Sequence, residues 1–464
     1  MDYIENRTFD EIQVGESASL VRTLTRDDIK IFAAMSGDVN PAHVDEEYAK
    51  SDVFHKIIAH GMWGGSLIST LLGTKLPGPG AIYLDQTLAF RRPVTVGDTI
   101  TVSVTVKAKD PEGHRISLDC RCVNQKGEVV IAGTAAVIAP TEKVRRPRAV
   151  LPEIHVHDPG ARYRQLLELT RGLEPIRTAV VHPVDGSSLR GALEAAQAGL
   201  VIPVLIGPEA RIRAAAAAEG VDLSPYQLVP TQHSHDAAAR AVALARAGTV
   251  EALMKGSLHT DELMHEVVAR DSGLTTARRI SHVFVMDVPA YPRTLFLTDA
   301  AINIEPDLED KRDIVQNAID LARVLGIDTP RVAILSAVET VTPKLRSTIE
   351  AAALCKMADR GQITGGLVDG PLGFDNAVSE EAARIKGIIS PVAGRADILV
   401  VPDLESGNML AKQLEYLAEA QGAGIVLGAR VPIALTSRAD RPLGRMASCA
   451  LALLLARRRR VLRI

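Results

Sequence analysis

Four consecutive segments of alternating apolar and polar residues are the feature that most constrains the fold of this chain. They span residues 81–90, 99–108, 115–124 and 129–138, and short turns rich in Gly, Asp or Pro separate them. Upstream, residues 61–73 are small or apolar on nearly every side, as in a helix that is buried on all faces. The pattern predicts a long, curled antiparallel sheet around a central helix, the α+β arrangement known as the hotdog fold.

The chain changes character after residue 139. Residues 140–160 contain four prolines and no periodicity, which predicts a semi-rigid linker. Beyond residue 160, short buried strands alternate with Ala-rich helices, which predicts an α/β domain with doubly wound parallel sheets, expected to be two with a cleft between them. The predicted organisation is a hotdog domain at 1–139, a linker at 140–160 and an α/β domain at 161–464.

Composition limits the classes of function. The 464 residues suffice for two or three domains, and with 47% hydrophobic but only 3% aromatic residues the cores must be built from Ala, Val, Leu and Ile. A net charge of −3 gives no general attraction to nucleic acid or acidic membranes, and the N-terminus lacks the features of a signal peptide. We expect a cytoplasmic enzyme. The four scattered cysteines are expected to be reduced, with Cys120 and Cys122 on one face of a strand.

An acid and a base lie five residues apart on one loop, at Asp38 and His43. Pro41 forces Asn40 out of the α region and Gly37 supplies a tight turn, so we expect a loop that cannot be helical. Two such groups can hold one water between them, which is what addition or removal of water at a carbon–carbon double bond requires. The loop therefore predicts a lyase.

Residues 32–49, Phe-Ala-Ala-Met-Ser-Gly-Asp-Val-Asn-Pro-Ala-His-Val-Asp-Glu-Glu-Tyr-Ala, resemble the hydration motif of the MaoC-like, (R)-specific enoyl-CoA hydratases. The resemblance continues to about Ala139. It implies that Asp38 and His43 hold the reacting water, and that Asn40 and the backbone N–H groups near Gly61 bind the substrate or its thioester oxygen.

Three segments of the second region carry candidate binding groups. Residues 255–260 follow a strand and open a helix, so Lys255, Ser257 and Thr260 suit an anion. Residues 368–377 form a glycine-rich exit from another strand. Residues 434–440 place a hydroxyl, a guanidinium and a carboxylate after a buried run.

Together with Pro-Asp-Leu-Glu-Ser-Gly-Asn at 402–408, these segments resemble the phosphate acetyl/butyryl transferases over about residues 160–464. The resemblance implies acyl transfer between phosphate and coenzyme A in an interdomain cleft, with one subdomain at about 161–268 plus 435–464 and the other at 269–434. It implies that Ser437 and Arg438 bind phosphate or the acyl carbonyl, with Asp440 as the base for the coenzyme A thiol. The residues after Arg438 depart from the acetyl-specific members, and the chain looks closer to the butyryl branch.

Other residues leave several roles open. His60 is expected to support the loop, contact coenzyme A or cap the helix, and Trp63 to line an acyl pocket or pack in the core. The four arginines at 457–460 fit either the phosphates of coenzyme A or a solvated last helical turn.

The leading hypothesis is a bifunctional enzyme that hydrates short enoyl-CoA thioesters and transfers acyl groups between coenzyme A and phosphate. Its substrates would be these small molecules, with no tightly bound cofactor, no metal, no nucleic acid and no membrane partner. One alternative makes the hotdog domain a thioesterase, and another makes the α/β domain an inactive coenzyme A-binding or oligomerising scaffold. Because domains of both families pair, the resemblance also implies an even-numbered homo-oligomer.

Overall fold

The computed structural model describes residues 2–435, apart from 152–153, 155, 157 and 159, and residues 442–462, with side chains up to residue 460. The chain forms two compact units, Met1–Val156 and His157–Ile464. Within the described residues, none of the helices has the length and apolar character needed to span a bilayer.

The first unit is a six-stranded antiparallel sheet with a central helix. Its elements are β1 (Tyr3–Glu5), β2 (Ser17–Thr23), α1 (Arg26–Ser36), α2 (Pro41–Val44), α3 (Glu46–Ser51), α4 (Gly61–Thr74), β3 (Ile82–Gln86), β4 (Ala89–Phe90), β5 (Thr99–Asp110), β6 (Arg115–Asn124), β7 (Val129–Ile138) and β8 (Arg145–Pro147). The sheet order is β2-β5-β6-β7-β3, and β4 also pairs with β7. This is the hotdog arrangement predicted from the alternating segments.

Small residues allow α4 to approach the sheet closely. A Cβ atom at Gly64 would lie 2.3 Å from Cδ1 of Ile131 on β7, so only glycine fits there without a shift of the neighbouring side chain. The next turns of α4 place Ile68 and Leu71, both fully buried, in the same core as Val102 and Leu118 of the sheet. Burial of these side chains stabilises the unit by about 1.5–3 kcal/mol each.

Part of the predicted linker is paired with the start of the chain. Strand β8 is antiparallel to β1, with Tyr3 opposite Pro147. The buried Asn6 side chain donates to the Glu142 carbonyl over 2.8 Å and accepts from the Val144 N–H over 2.9 Å. The prolines keep this segment extended, and extended backbone at an edge can pair as a strand.

The second unit alternates strands and helices. Its elements are α5 (Ala161–Glu168), β9 (Ile176–Val181), α6 (Gly186–Gln197), β10 (Val201–Gly207), α7 (Glu209–Ala218), β11 (Gln227–Pro230), α8 (Ser234–Arg246), β12 (Ala252–Lys255), α9 (Thr260–Val268), β13 (Ser281–Asp287), β14 (Leu295–Thr298), α10 (Leu308–Val324), β15 (Arg331–Leu335), α11 (Arg346–Asp359), β16 (Leu367–Leu372), α12 (Phe374–Val378), α13 (Glu380–Ile385), β17 (Ile398–Val400), α14 (Leu404–Leu417), β18 (Gln421–Leu427), β19 (Ile433–Ala434) and α15 (Pro442–Leu462).

These strands form one sheet instead of the two that the sequence predicted. The order is β11-β10-β9-β12-β19-β18-β13-β14-β17-β15-β16. The pairs β18–β19, β13–β18 and β13–β14 are antiparallel, and the remaining pairs are parallel. The antiparallel strands join two parallel blocks into a continuous sheet. Both faces are covered, because Val180 of β9 belongs to one core and its neighbours Ala179 and Val181 belong to another.

Candidate functional sites

The loop that carries Asp38 and His43 is set by the ends of two helices. Gly37 ends α1 in the left-handed conformation, with φ of 75°, which glycine adopts without strain. Asn40 caps α2, because its side-chain oxygen accepts the Ala42 N–H over 3.1 Å. Pro41 occupies the first position of that helix, where proline is favoured. The prediction that this loop cannot be helical is therefore wrong, because proline excludes the helix only before itself and α2 runs from Pro41 to Val44. The turn at Gly37 and the start of α2 together bring Asp38 and His43 to the same side of the loop.

Asp38, His43 and His60 form a cluster in which one ligand atom of each lies within 4.8 Å of the others. Nδ1 of His43 lies 2.9 Å from the Ile58 carbonyl oxygen. A carbonyl only accepts hydrogen bonds, so Nδ1 carries the proton and the neutral ring keeps Nε2 as a base. Two imidazoles and a carboxylate would by chemistry also suit a divalent metal ion.

His60 supports this cluster. Its Nε2 donates to the Asp38 backbone carbonyl over 3.0 Å, and its ring centroid lies 4.0 Å from that of His43. The side chain is only 3% exposed and makes no cap hydrogen bond to α4. Of the roles left open by the sequence, support of the loop is therefore the one observed.

A cavity of about 310 Å³ opens beside the cluster. His43, His60, Gly61 and Trp63 line it, and Phe90, Val94 and Ile131 supply an apolar wall. Gly61 is the first residue of α4, whose N-terminal N–H groups lack a side-chain cap from His60. An acyl thioester that enters this cavity meets an acid–base pair, a helix N-terminus and an apolar wall.

Cysteines do not supply a nucleophile to this cavity. Cys122 lines it, but burial raises the pKa of its thiol to about 12, so the thiolate is scarce at neutral pH. Cys120 and Cys122 are both buried and unpaired, on one face of β6 as the sequence predicted.

The sequence predicted Asp38, Asn40, His43 and Gly61 as parts of one site. His43 and Gly61 line the cavity and Asp38 adjoins it, whereas the side chain of Asn40 caps α2 and is not among the lining residues. The sequence reading missed the Ile58 carbonyl and the wall at residues 90–94. Tertiary contacts place these groups at the site. Ile58 forms an isolated antiparallel β-bridge with Thr95, and the Ala59 N–H donates to the Val94 carbonyl. No local signal marks them.

In the second unit, Lys255 and Ser257 lie at the carboxyl end of β12, beside the end of β9. In the sheet, β10 lies on one side of β9 and β12 lies on the other. The direction in which successive strands are added to the sheet therefore reverses between β9 and β12, and open α/β sheets bind ligands at such a point. The Ser257 N–H donates to the His182 carbonyl, and Nδ1 of His182 lies 2.9 Å from the Ser257 carbonyl. The sequence reading missed His182, although its position directly after a buried strand was a usable signal.

Thr260 begins α9, where the sequence predicted room for an anion. Glu262 already provides a carboxylate there, accepting the His259 N–H over 3.2 Å. A hydrogen bond from Ser234 is the main cause that lowers the pKa of Glu262, so this carboxylate is ionised at neutral pH. Negative charge is therefore present at this helix terminus before any ligand arrives.

The predicted residues Ser437, Arg438 and Asp440 lie outside the described residues. The strand before them, β19, runs parallel to β12, with Ala434 opposite Met254. The chain therefore leaves β19 at the same edge of the sheet as Lys255 and Ser257.

Two family models match the chain. The model described as "Phosphate acetyl/butaryl transferase" matches residues 229–453, and the one described as "MaoC like domain" matches residues 11–121. A curated phosphate acetyltransferase from Rhizobium meliloti is 65% identical over 304 residues, which are 66% of this chain and 96% of that protein. The chain belongs to the phosphate acetyl/butyryl transferase family. It carries in addition a MaoC-like domain at its start, and so combines a transferase with a hydratase domain.

Further relatives act on other acyl groups. A phosphate butyryltransferase from Clostridium acetobutylicum is 39% identical over 294 residues, which are 63% of this chain and 98% of that protein. A solved branched-chain phosphotransacylase from Enterococcus faecalis V583 is 30% identical, with a TM-score of 0.53, over 61% of this chain and 99% of that one. Both phosphate acetyltransferases and phosphate butyryltransferases are thus similar to this chain, and the expectation that it lies closer to the butyryl branch stays a prediction.

Proposed function

We propose that the first unit catalyses the reversible hydration of short trans-2-enoyl-CoA thioesters to (R)-3-hydroxyacyl-CoA. The observation that carries this proposal is that His43 lines a cavity with Nε2 available as a base, and that Asp38 lies beside it, with ligand atoms of the two residues within 4.8 Å. One of the two takes a proton from the water as its oxygen bonds to C3, and a proton is delivered to C2. The N–H groups at the start of α4 stabilise the negative charge that develops on the thioester oxygen.

We also propose that the second unit transfers an acyl group between coenzyme A and phosphate. The sequence identity of 65% to a phosphate acetyltransferase supports acetyl as a preferred acyl group. In this reaction the thiolate sulfur and a phosphate oxygen exchange places on the acyl carbon. Arg438, with its planar pair of donors, is proposed to bind the phosphate beside Ser437, and Asp440 to accept the thiol proton.

Assays on the purified intact chain test both proposals. Crotonyl-CoA should lose its conjugated double bond in the absence of phosphate, without release of free thiol. Acetyl-CoA and phosphate should yield acetyl phosphate, with a higher kcat/KM than butyryl-CoA. Release of free thiol from crotonyl-CoA would favour the thioesterase alternative, and a lack of acyl phosphate would favour the scaffold alternative.

A further inference from the structure

A large cavity in the second unit is lined by arginines. Its volume is about 570 Å³, within the range of small-molecule sites. Four arginines line it: Arg278, Arg430, Arg458 and Arg459. Asp320 is the one acidic residue of this lining, and it is paired with Arg278. The cavity, called the arginine cavity below, therefore has an excess of positive charge.

The arginine run at 457–460 divides between two tasks. Arg457 pairs with Glu174 over 3.0 Å, and Arg460 pairs with Glu251. Arg458 and Arg459, on the other side of the same turn of α15, line the cavity. Half of this run is therefore fixed to acidic partners and half faces a cavity, and its contact with coenzyme A phosphates stays a prediction.

Arg459 lacks a counter-charge among the described residues. Its Nη1 is buried without a hydrogen-bond partner, and burial lowers the pKa of the guanidinium. A guanidinium out of water without a partner costs free energy that an anion with several oxygens would offset. Beside it, Leu321, Leu427 and Leu455 form an apolar wall. The lining thus suits a ligand that has both an anionic and a weakly polar part.

The arginine cavity is at the opposite end of the strands from Lys255 and Ser257, which the sequence analysis predicted to bind an anion. β18 is antiparallel to β19, with Val426 opposite Ile433, so β18 ends at the edge where β19 begins. Ser281, at the start of β13, pairs with Leu427 and places Arg278 at that edge too. Along α15, Arg459 lies about 25 Å from Pro442, given a rise of 1.5 Å per residue.

We propose that the arginine cavity binds a phosphate-bearing small molecule of nucleotide size, at a site separate from the acyl-transfer centre. The guanidinium groups of Arg458 and Arg459 bind the phosphate oxygens, since their paired donors match phosphate geometry. The leucine wall contacts the base or another weakly polar part of the ligand. This inference does not depend on which acyl group the transferase uses.

Calorimetric titration of the intact protein with ADP tests the proposal. We expect ADP to bind, and a loss of affinity of about tenfold or more in Arg459→Gln and in Arg458→Gln, as for loss of a charge-assisted hydrogen bond. Arg460→Gln is the matched control, because Arg460 is in the same turn but pairs with Glu251, and its affinity should stay within about twofold of the native value.

Two outcomes would overturn the proposal. They are no binding of ADP to the native protein, and equal binding by the Arg458, Arg459 and Arg460 variants. Inorganic phosphate is the second probe. If it binds as tightly as ADP with the same dependence on Arg459, the cavity recognises phosphate alone and the claim of a nucleotide-sized ligand is wrong. Circular dichroism and acetyl phosphate formation confirm that each variant is folded.

Discussion

The His43 imidazole is the group in the hydratase site whose chemical state the fold determines most directly. The Ile58 carbonyl fixes its tautomer, and the His60 ring packs against its face. A base held in this way needs no reorientation before it acts on water, which is the advantage of a preorganised site. Asp38 is held more loosely, since its carboxylate is exposed and accepts the Asn40 N–H over 3.2 Å.

Asp38→Asn and His43→Ala should each lower the rate of crotonyl-CoA hydration by about 10²–10⁴, because each removes one proton-transfer group. Hydration is measured by the loss of conjugated absorbance. Acetyl phosphate formation by the same preparations is the internal control and should be unchanged. A variant that keeps more than about a tenth of native hydration would contradict the acid–base roles.

Arg438→Lys should strongly reduce acyl transfer. A lysine keeps the positive charge but replaces two parallel donors by a point charge, so phosphate loses its bidentate contact. The KM for phosphate, measured with acetyl-CoA, should rise while crotonyl-CoA hydration is unaffected. Normal transfer by the lysine variant would show that Arg438 is not the phosphate ligand.

At the scale of elements, a buried ion pair joins α10 to α11. Lys311 and Glu350 are 4% and 7% exposed, and Arg346 also contacts Glu350 over 2.6 Å from a largely exposed position. Glu350→Leu would leave the Lys311 ammonium buried without its partner, so the free energy of unfolding should fall by about 3–5 kcal/mol. Urea denaturation monitored by circular dichroism measures this change.

The double variant Lys311→Met with Glu350→Leu should recover most of that loss, because it removes both buried charges together. Asp359→Ala, which breaks the exposed pair with Lys356 on the same helix α11, is the control and should leave the urea midpoint unchanged. If the double variant were as unstable as Glu350→Leu, packing and not the unpaired charge would be the cause.

Helices and strands with a strong local sequence pattern could be predicted. Those whose place in the fold depends on contacts with neighbouring strands could not. β6 and β7 have the predicted bounds, because apolar and polar residues alternate along most of β6 and turn residues separate it from the apolar run of β7. β2 was missed, since it is an edge strand whose residues are mostly exposed. α1 was missed although Thr25 and Asp28 form a capping box at its start.

The same limit applies to the sheet of the second unit and to its site. A buried strand has the same composition in either direction, so the antiparallel placement of β13 and β18 left no trace in their sequences. The pairing of His182 with Ser257 likewise joins residues 75 positions apart. By contrast, the acid–base loop was predictable because both groups lie within six residues.

At the scale of the whole molecule, the first unit has an edge suited to association. β3 ends the sheet, and Ile82, Tyr83 and Leu84 on it are 56%, 41% and 46% exposed. An edge strand with exposed apolar side chains favours pairing with another chain. We therefore predict that β3 contributes to the pairing of hotdog domains between two copies of this chain.

The intact protein should be a homo-oligomer with an even number of chains. If the hotdog and transferase domains pair with the same partner, one two-fold axis serves both and the protein is a dimer. If the proline-rich connection does not allow this, each chain pairs with two neighbours and a larger closed assembly forms, which we favour because four prolines stiffen residues 140–160. Light scattering on the intact chain measures the mass, and a monomer would contradict the prediction.

Leu84→Lys tests which surface makes the hotdog contact. A charge placed on β3 should reduce the mass of the assembly by half or weaken it so that the mass depends on concentration, because lysine on an edge strand opposes pairing. Val21→Lys is the matched control, since Val21 is 63% exposed on β2 at the opposite edge of the same sheet. If Val21→Lys dissociates the assembly and Leu84→Lys does not, the contact lies at β2. If hydration of crotonyl-CoA falls together with the mass in Leu84→Lys, pairing also completes the active site.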